Sequence, residues 1–290
     1  MIHTVLLSSG GIRVISHVGA LCALDAAGLL THVKRWCGVS GGALLATCFA
    51  LGYSMAEARD ICERFDFSLL QELCEDGPLQ FLETFSIDAG YKLQRFLEAL
   101  FHVRGFSDKI SFADLSRSGA PALRIWATNL DAGRLETFDS EQTPDISILM
   151  ALRASMSIPL YYPPVEHPVS GQYYIDGAVF HPCPVYMIPV DEQAGLLAVW
   201  VFTHIKEEIA RTPEAYVIRV LRLFYESRNK DNVSLFKDMV LPIHTDAANE
   251  IDFGLSADQK RELFAAGQEA AATFIAARAK SSIPKRRASI

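Results

Sequence analysis

A chain of 290 residues, 50% hydrophobic and 21% charged, carries enough apolar surface to bury a large core, and its length permits one large domain or two ordinary ones. A formal net charge of −7 argues against nonspecific nucleic-acid binding as its main role. The six cysteines, Cys22, Cys37, Cys48, Cys62, Cys74 and Cys183, show no metal-ligand spacing and sit mostly in apolar stretches, the pattern of reduced core residues in a cytoplasmic protein.

The chain opens on Ile2 to Leu7, which reads as a short buried strand. Ser8-Ser9-Gly10-Gly11-Ile12-Arg13 then forms a loop into a helix from about Val14 to Ala27. A Gly-Gly turn at a helix start points several backbone N–H groups at one spot, which binds an anion without a metal. Neither G-x-G-x-x-G nor G-x-x-x-x-G-K-[ST] is present, so an oxyanion hole fits better than a phosphate loop. The first strand runs straight into this loop and is too short for the apolar core of a secretory leader, so no N-terminal signal is expected.

A second apolar stretch, Val33 to Cys37, hands over to Gly38-Val39-Ser40-Gly41-Gly42 and a helix from about Gly41 to Leu51. A serine between glycines on a tight strand-to-helix turn projects its hydroxyl from the end of a sheet, with the positive end of the helix facing it. From Phe65 to Phe101 the chain is rich in large apolar residues at helical spacing, among them Phe65, Phe67, Leu69, Leu70, Leu73, Leu79, Phe81, Leu82, Phe85, Leu93, Phe96, Leu97, Leu100 and Phe101. Two readings stand side by side: a helical layer completing the core, and a wall or lid of an acyl-chain groove.

Strands follow near Leu123 to Asn129, Tyr173 to Ile175 and Leu196 to Phe202. Between the first two lies Ala154-Ser155-Met156-Ser157-Ile158-Pro159, and the second ends on Asp176-Gly177-Ala178. That places a carboxylate at a strand end, where catalytic groups of open α/β sheets collect, although Asp-Gly alone also marks ordinary turns. No linker divides the chain, no repeat occurs, and no stretch reaches the ~18 apolar residues of a membrane span. The expectation is one α/β domain with a mainly parallel central sheet over residues 1–279, followed by a basic, disordered tail at 280–290 that carries Lys280, Lys285, Arg286 and Arg287 without an acid. Such a tail suits a solvated terminus, an anionic membrane surface, or, at Arg286-Arg287-Ala288-Ser289, a basophilic kinase.

Taken in order, Ser9 to Val14, Gly38 to Gly42 and Asp176-Gly177-Ala178 resemble the patatin-like phospholipase family, whose pattern is G-G-G-x-[RK]-G, then G-x-S-x-G, then D-G-[GA]. The resemblance runs from about Leu6 to Ala272 and includes His17-Val18-Gly19-Ala20-Leu21, the Ala154 to Val165 stretch and the Leu255 to Ala272 region. It implies a three-layer α/β/α fold and a lipid acyl hydrolase without a cofactor or metal. Three positions depart from the pattern. Ser9 and Val14 replace glycines, so a positive φ at residue 9 would strain the first loop. Pro182 stands where the family leads one to expect asparagine.

In the implied chemistry Ser40 attacks an ester carbonyl and Asp176 takes its proton directly. The N–H groups of Gly10, Gly11, Ile12 and Arg13 hold the oxyanion, and Gly38, Gly42 and Gly177 clear space around the two motifs. With an ordinary pKa near ~4, Asp176 needs desolvation or a strengthened serine hydrogen bond to act at neutral pH. The implied partner is a lipid ester met at a lipid interface. A Ser-His-Asp hydrolase is the rival enzyme reading, with Asp131 or Asp176 as acid and His204 or His244 as base; His17 and His181 also lie near motifs. A catalytically silent lipid-binding member of the fold is the non-enzyme alternative.

Overall fold

A computed structural model of the chain describes residues 1–72, 81, 83–202, 219, 223, 236, 238–249 and 251–281. Leu73, Cys74, Leu79, Leu82, His204 and the 282–290 portion of the basic tail lie outside them. The strands are β1 (Thr4–Leu7), β2 (Arg35–Val39), β3 (Ala122–Asn129), β4 (Arg134–Asp139), β5 (Val165–Glu166), β6 (Tyr173–Asp176), β7 (Leu196–Phe202) and β8 (Val240–His244). The helices are α1 (Ile15–Ala26), α2 (Gly41–Ala50), α3 (Met55–Arg64), α4 (Tyr91–Val103), α5 (Phe112–Arg117), α6 (Ile148–Ser155), α7 (Val190–Gln193) and α8 (Ala257–Ser281).

The eight strands of the described residues form one sheet in the order β5-β6-β3-β2-β1-β7-β8, with β4 paired to β3. The run β3-β2-β1-β7-β8 is parallel; β4 and β6 run antiparallel to β3, and β5 to β6. Alternate residues of the central strands serve opposite faces. Val5, Leu7, Ile125, Val199 and Val201 pack under the main helices, whereas Leu6, Cys37, Val39, Trp126 and Trp200 pack against Ala178, Cys183, Val185 and Ile188. The sheet is thus flanked on both faces, in an α/β architecture.

The sequence places β2 two residues early. The strand extends through Gly38 and Val39 because both pair with β3 while Gly38 also pairs with Leu7. The first strand starts at Thr4 rather than Ile2, and the loop after it winds into a 3-10 turn, Gly11–Val14, before α1. Strands β4 and β5 appear in no reading of the sequence. In the apolar segment from Phe65 to Phe101, Phe67, Leu70, Leu93, Leu97, Leu100 and Phe101 are core, while Leu69 and Phe85 stand exposed.

Helix α8 lies against α1 so tightly that a Cβ on Gly19 would sit 2.0 Å from the Phe264 carbonyl oxygen, and one on Gly267 would sit 1.9 Å from that of Ser16. This crossing seats α1, and with it the loop that precedes α1, on the sheet. Among the described residues no helix is long and apolar enough to cross a membrane.

Candidate active site

The register along β3 explains how two residues 136 positions apart meet. Strand β4 occupies one edge of β3 from Arg124 to Asn129. The other edge is shared: β2 covers it up to Val39 opposite Trp126, and β6 covers it from Tyr174 opposite Asn129 to Asp176 opposite Ala127. Because β2 is parallel and β6 antiparallel to β3, the two strands run head to head. Their ends present Ser40 and Asp176 to each other, and Ser40 Oγ donates a 2.6 Å hydrogen bond to Asp176 Oδ2.

Ser40 has φ 54° and ψ −127°, a region that side chains with a Cβ rarely adopt. The elbow glycines make that turn possible by close backbone approach. A Cβ on Gly38 would fall 2.4 Å from the Gly42 carbonyl oxygen, and one on Gly42 would fall 2.3 Å from that of Leu7. Gly177 answers the same need on the acid side, where a Cβ would come within 2.5 Å of the Trp126 carbonyl oxygen.

Asp176 is buried and held from four directions. Its N–H donates to Ser157 O (2.8 Å), its carbonyl accepts from Thr128 Oγ1 (3.0 Å), its Oδ1 accepts from Ala178 N–H (2.8 Å), and its Oδ2 accepts from Ser40. Burial pushes its pKa up to about 7, against the opposing pull of the Ser40 hydroxyl and the Ala178 N–H. The Asp-Gly pair is therefore both a turn and the carrier of the carboxylate.

In the first loop, the initial closed ring joins Arg13 N–H to Gly10 O at 3.0 Å. The amides ahead of it, those of Gly10, Gly11 and Ile12, have no acceptor within the turn. Arg13 belongs among the sequence-predicted donors, yet its N–H is spent on this ring and its Nε also reaches Gly10 O, at 3.4 Å. Positive φ falls on Gly11 (53°), not on Ser9. Ser9 N–H donates to Pro182 O at 2.9 Å, so Pro182 ties the first loop to the segment after Asp176 through its carbonyl. A Cβ on Gly10 would strike Val201 Cγ1 at 2.5 Å, and a Cβ on Gly41 would meet Gly11 O at 2.7 Å, so the loop and the elbow helix are in direct apposition.

Among the described residues, His17, His181 and His244 make other contacts. His17 Nε2 lies 3.2 Å from both Ser8 Oγ and Val199 O beneath the loop. Burial pushes its pKa down to about 3, which keeps it neutral. His181 Nδ1 accepts from Cys183 N–H at 3.1 Å. His244 ends β8, three strand spacings or roughly 14 Å from β2, with its ring 3.9 Å from that of Phe202. Asp131 accepts from Tyr173 N–H at the surface. The acid in contact with Ser40 is Asp176, with no imidazole between them. Ser8, Thr128 and Ser155, which brace this arrangement, went unassigned in the sequence. Their only signal there is being small hydroxyl residues at strand or helix ends beside a motif.

A serine on a strand-to-helix elbow, facing a glycine loop at the C-terminal ends of the parallel strands, is an arrangement suited to nucleophilic ester chemistry on an α/β fold. The chain belongs to the patatin-like phospholipase family: that family's model matches residues 5–188. It is 24% identical over 182 residues to probable lipid hydrolase 463L of Invertebrate iridescent virus 6, covering 63% of this chain and 61% of that one. It is 28% identical over 198 residues to uncharacterized protein R571 of Acanthamoeba polyphaga mimivirus, covering 67% and 65%. The chain thus spans under two thirds of either relative. Against uncharacterized protein YqhO of Bacillus subtilis (strain 168) it is 23% identical, with 93% and 97% covered. Among solved structures, VipD from Legionella pneumophila has the same fold, with a TM-score of 0.66, 16% identity and coverage of 95% and 67%. So does ExoU, solved with SpcU from the type III secretion system of Pseudomonas aeruginosa, with a TM-score of 0.56, 18% identity and coverage of 96% and 52%.

Proposed function

We propose that the protein is a serine lipid acyl hydrolase that cleaves carboxylic esters of phospholipids or related glycerolipids through a Ser40–Asp176 dyad. The 2.6 Å Ser40 Oγ to Asp176 Oδ2 bond carries the reading. As Ser40 Oγ bonds to the ester carbonyl carbon, its proton passes to Asp176, and the carbonyl oxygen gathers negative charge beside the Gly10, Gly11 and Ile12 amides. Breaking the ester C–O bond returns that proton to the departing alkoxide and leaves an acyl-serine. Water then attacks the acyl carbon, gives its proton to Asp176, and Ser40 recovers it as the fatty acid leaves. A carboxylate poised near pH 7 suits this exchange, since a general base works best when its pKa lies near the working pH. Arg13, with its amide and Nε both turned to Gly10 O, orders the loop.

The substrate is met at a lipid interface. Two large apolar side chains support this: Phe85 and Leu160 are 62% and 37% exposed. Both take positive φ, 57° and 66°, and Ile87 N–H donates to Leu160 O beside them at 3.1 Å. Leu160 follows Ser157 by three residues, so at most about 11 Å of chain separates it from the residue that holds Asp176.

The test is product analysis of a mixed lipid panel with wild type and Ser40→Ala. Release of free fatty acid and the matching lysolipid by wild type alone is the expected result, and head-group and positional analysis then names the natural ester. A folded wild type that turns over no acyl ester overturns the proposal in favour of a lipid-binding member of the fold.

A further inference from the structure

The turn at Ser40 depends on the orientation of the two peptide planes that flank it. The carbonyl side is fixed by helix α2, whose Leu44 N–H donates to Ser40 O at 3.1 Å. The amide side lies outside the helix, and because φ is a rotation about N–Cα, it is set only if the Val39–Ser40 peptide plane is held. One side chain holds it. Ser155, the last residue of α6 and fully buried, accepts the Ser40 N–H through its Oγ at 2.8 Å and donates its own hydroxyl proton to Trp126 O at 2.7 Å. The relay runs from the nucleophile's amide to the β3 residue opposite Val39.

We propose that Ser155 is a positioning residue for the nucleophile: by pinning the Ser40 amide to β3, it holds Ser40 in its disfavoured conformation with Oγ aimed at Asp176. The inference rests on the hydrolase reading above and deepens it. Two residues further along the chain, the Ser157 carbonyl accepts the Asp176 N–H, and Ser157 Oγ donates back to Arg153 O at 2.9 Å. The end of α6 therefore sets both partners of the dyad from one short segment. Without the Ser155 hydroxyl, the Ser40 peptide is free to rotate toward an ordinary φ, which swings Oγ off the carboxylate. The relay also commits the Ser40 amide, which leaves oxyanion binding to the first loop.

The experiment compares wild type, Ser155→Ala and Ser155→Thr on a soluble short-chain ester, with active sites counted by reaction with a fluorophosphonate carried to completion. For Ser155→Ala, kcat per counted site should fall about 100-fold, the scale of an ångström-sized misplacement of a reacting group, with KM within about threefold. Ser155→Thr, which keeps the hydroxyl, should return to within about fivefold of wild type. A residue that merely supported the fold would lower the number of counted sites and leave kcat per site intact. That result, or a rise in KM at constant kcat, overturns the inference. If Ser155→Ala does not fold, the near-isosteric Ser155→Cys decides: a loss in kcat per site of about tenfold or more upholds the inference, and a smaller one overturns it. Absence of both turnover and labelling in wild type strikes the hydrolase reading instead.

Discussion

Strands β2 and β6 arrive at the same point of β3 from opposite directions, and they deliver the two residues of the proposed dyad by different physical means. At the end of β2 the difficulty is conformational. Ser40 adopts φ 54°, the glycines on either side exist because backbone lies against backbone, and outside hydrogen bonds pin the turn. At the end of β6 the backbone is relaxed, with Asp176 at φ −47° and ψ 131°, and the difficulty is electrostatic: a carboxylate is buried with two hydrogen-bond donors to its oxygens. One strand end holds steric strain and the other holds desolvation. The consequence is that the serine is aimed and the aspartate is tuned, so substitutions at the two ends separate geometry from titration.

The largest effect expected is on the pair itself. Ser40→Ala and Asp176→Ala should each lower turnover of a soluble ester by about 10³-fold or more, and the double variant should be little worse than either single one, because groups that act as a unit are not additive. His244→Ala, altering a ring that meets Phe202 edge-on, should stay within about tenfold of wild type, or ~1.4 kcal/mol of barrier. A folded Asp176→Ala that keeps more than about a tenth of wild-type turnover, or a His244→Ala as inactive as Ser40→Ala, would return the site to a triad.

The tuning at the β6 end predicts opposite pH trends for activity and stability. With Asp176 pushed up to about 7, kcat/KM should fall about tenfold for each pH unit below 7, whereas a carboxylate near ~4 keeps the rate flat to about pH 5. For stability, the folded pKa lies above the unfolded one. Its contribution is therefore fully present below about pH 4 and is lost as pH rises through 7. Asp176→Asn does not titrate, so relative to wild type it should gain between about 1 and 4 kcal/mol at pH 8 and nothing near pH 4, at the expense of turnover. Urea midpoints of the two proteins measured from pH 4 to 8 check this. Parallel curves would mean that Asp176 is not desolvated.

How much of this the sequence discloses follows the same division. Gly38 to Gly42 and Asp176-Gly177 are visible because close backbone approach leaves only glycine, and such constraints are local in the chain. The core strands β1, β3 and β7 are visible as short apolar runs. What escapes is whatever depends on register between distant segments. Nothing in Ala154-Ser155-Met156-Ser157 shows that one hydroxyl will meet Ser40 and one carbonyl Asp176, since that requires β2 and β6 to share an edge of β3. The edge strands β4 and β5 escape for a related reason: their pairing partner, not their own composition, makes them strands. The bond from the Arg13 amide to Gly10 O escapes as well, because it comes from a 3-10 turn rather than an α-helical one at the start of α1.

The smallest effect concerns the surface beside the β6 end, where strain recurs without a catalytic residue. Phe85 and Leu160 hold positive φ on adjoining chain segments and expose large apolar side chains, an arrangement that costs about 1–2 kcal/mol per residue and gains nothing in water. Insertion into the apolar layer of a lipid aggregate, the contact proposed above, would offset it, at about 25 cal/mol for each Å² removed from water. Asparagine tolerates this backbone region and lacks the apolar ring, so Phe85→Asn relaxes the turn and removes the contact together. Turnover of phospholipid in vesicles should drop severalfold in this variant, while turnover of a soluble short-chain ester stays unchanged because Ser40, Asp176 and the glycine loop are untouched. Equal loss on both substrates would make Phe85 part of the scaffold of the site, and no loss on vesicles would place the lipid-facing surface elsewhere.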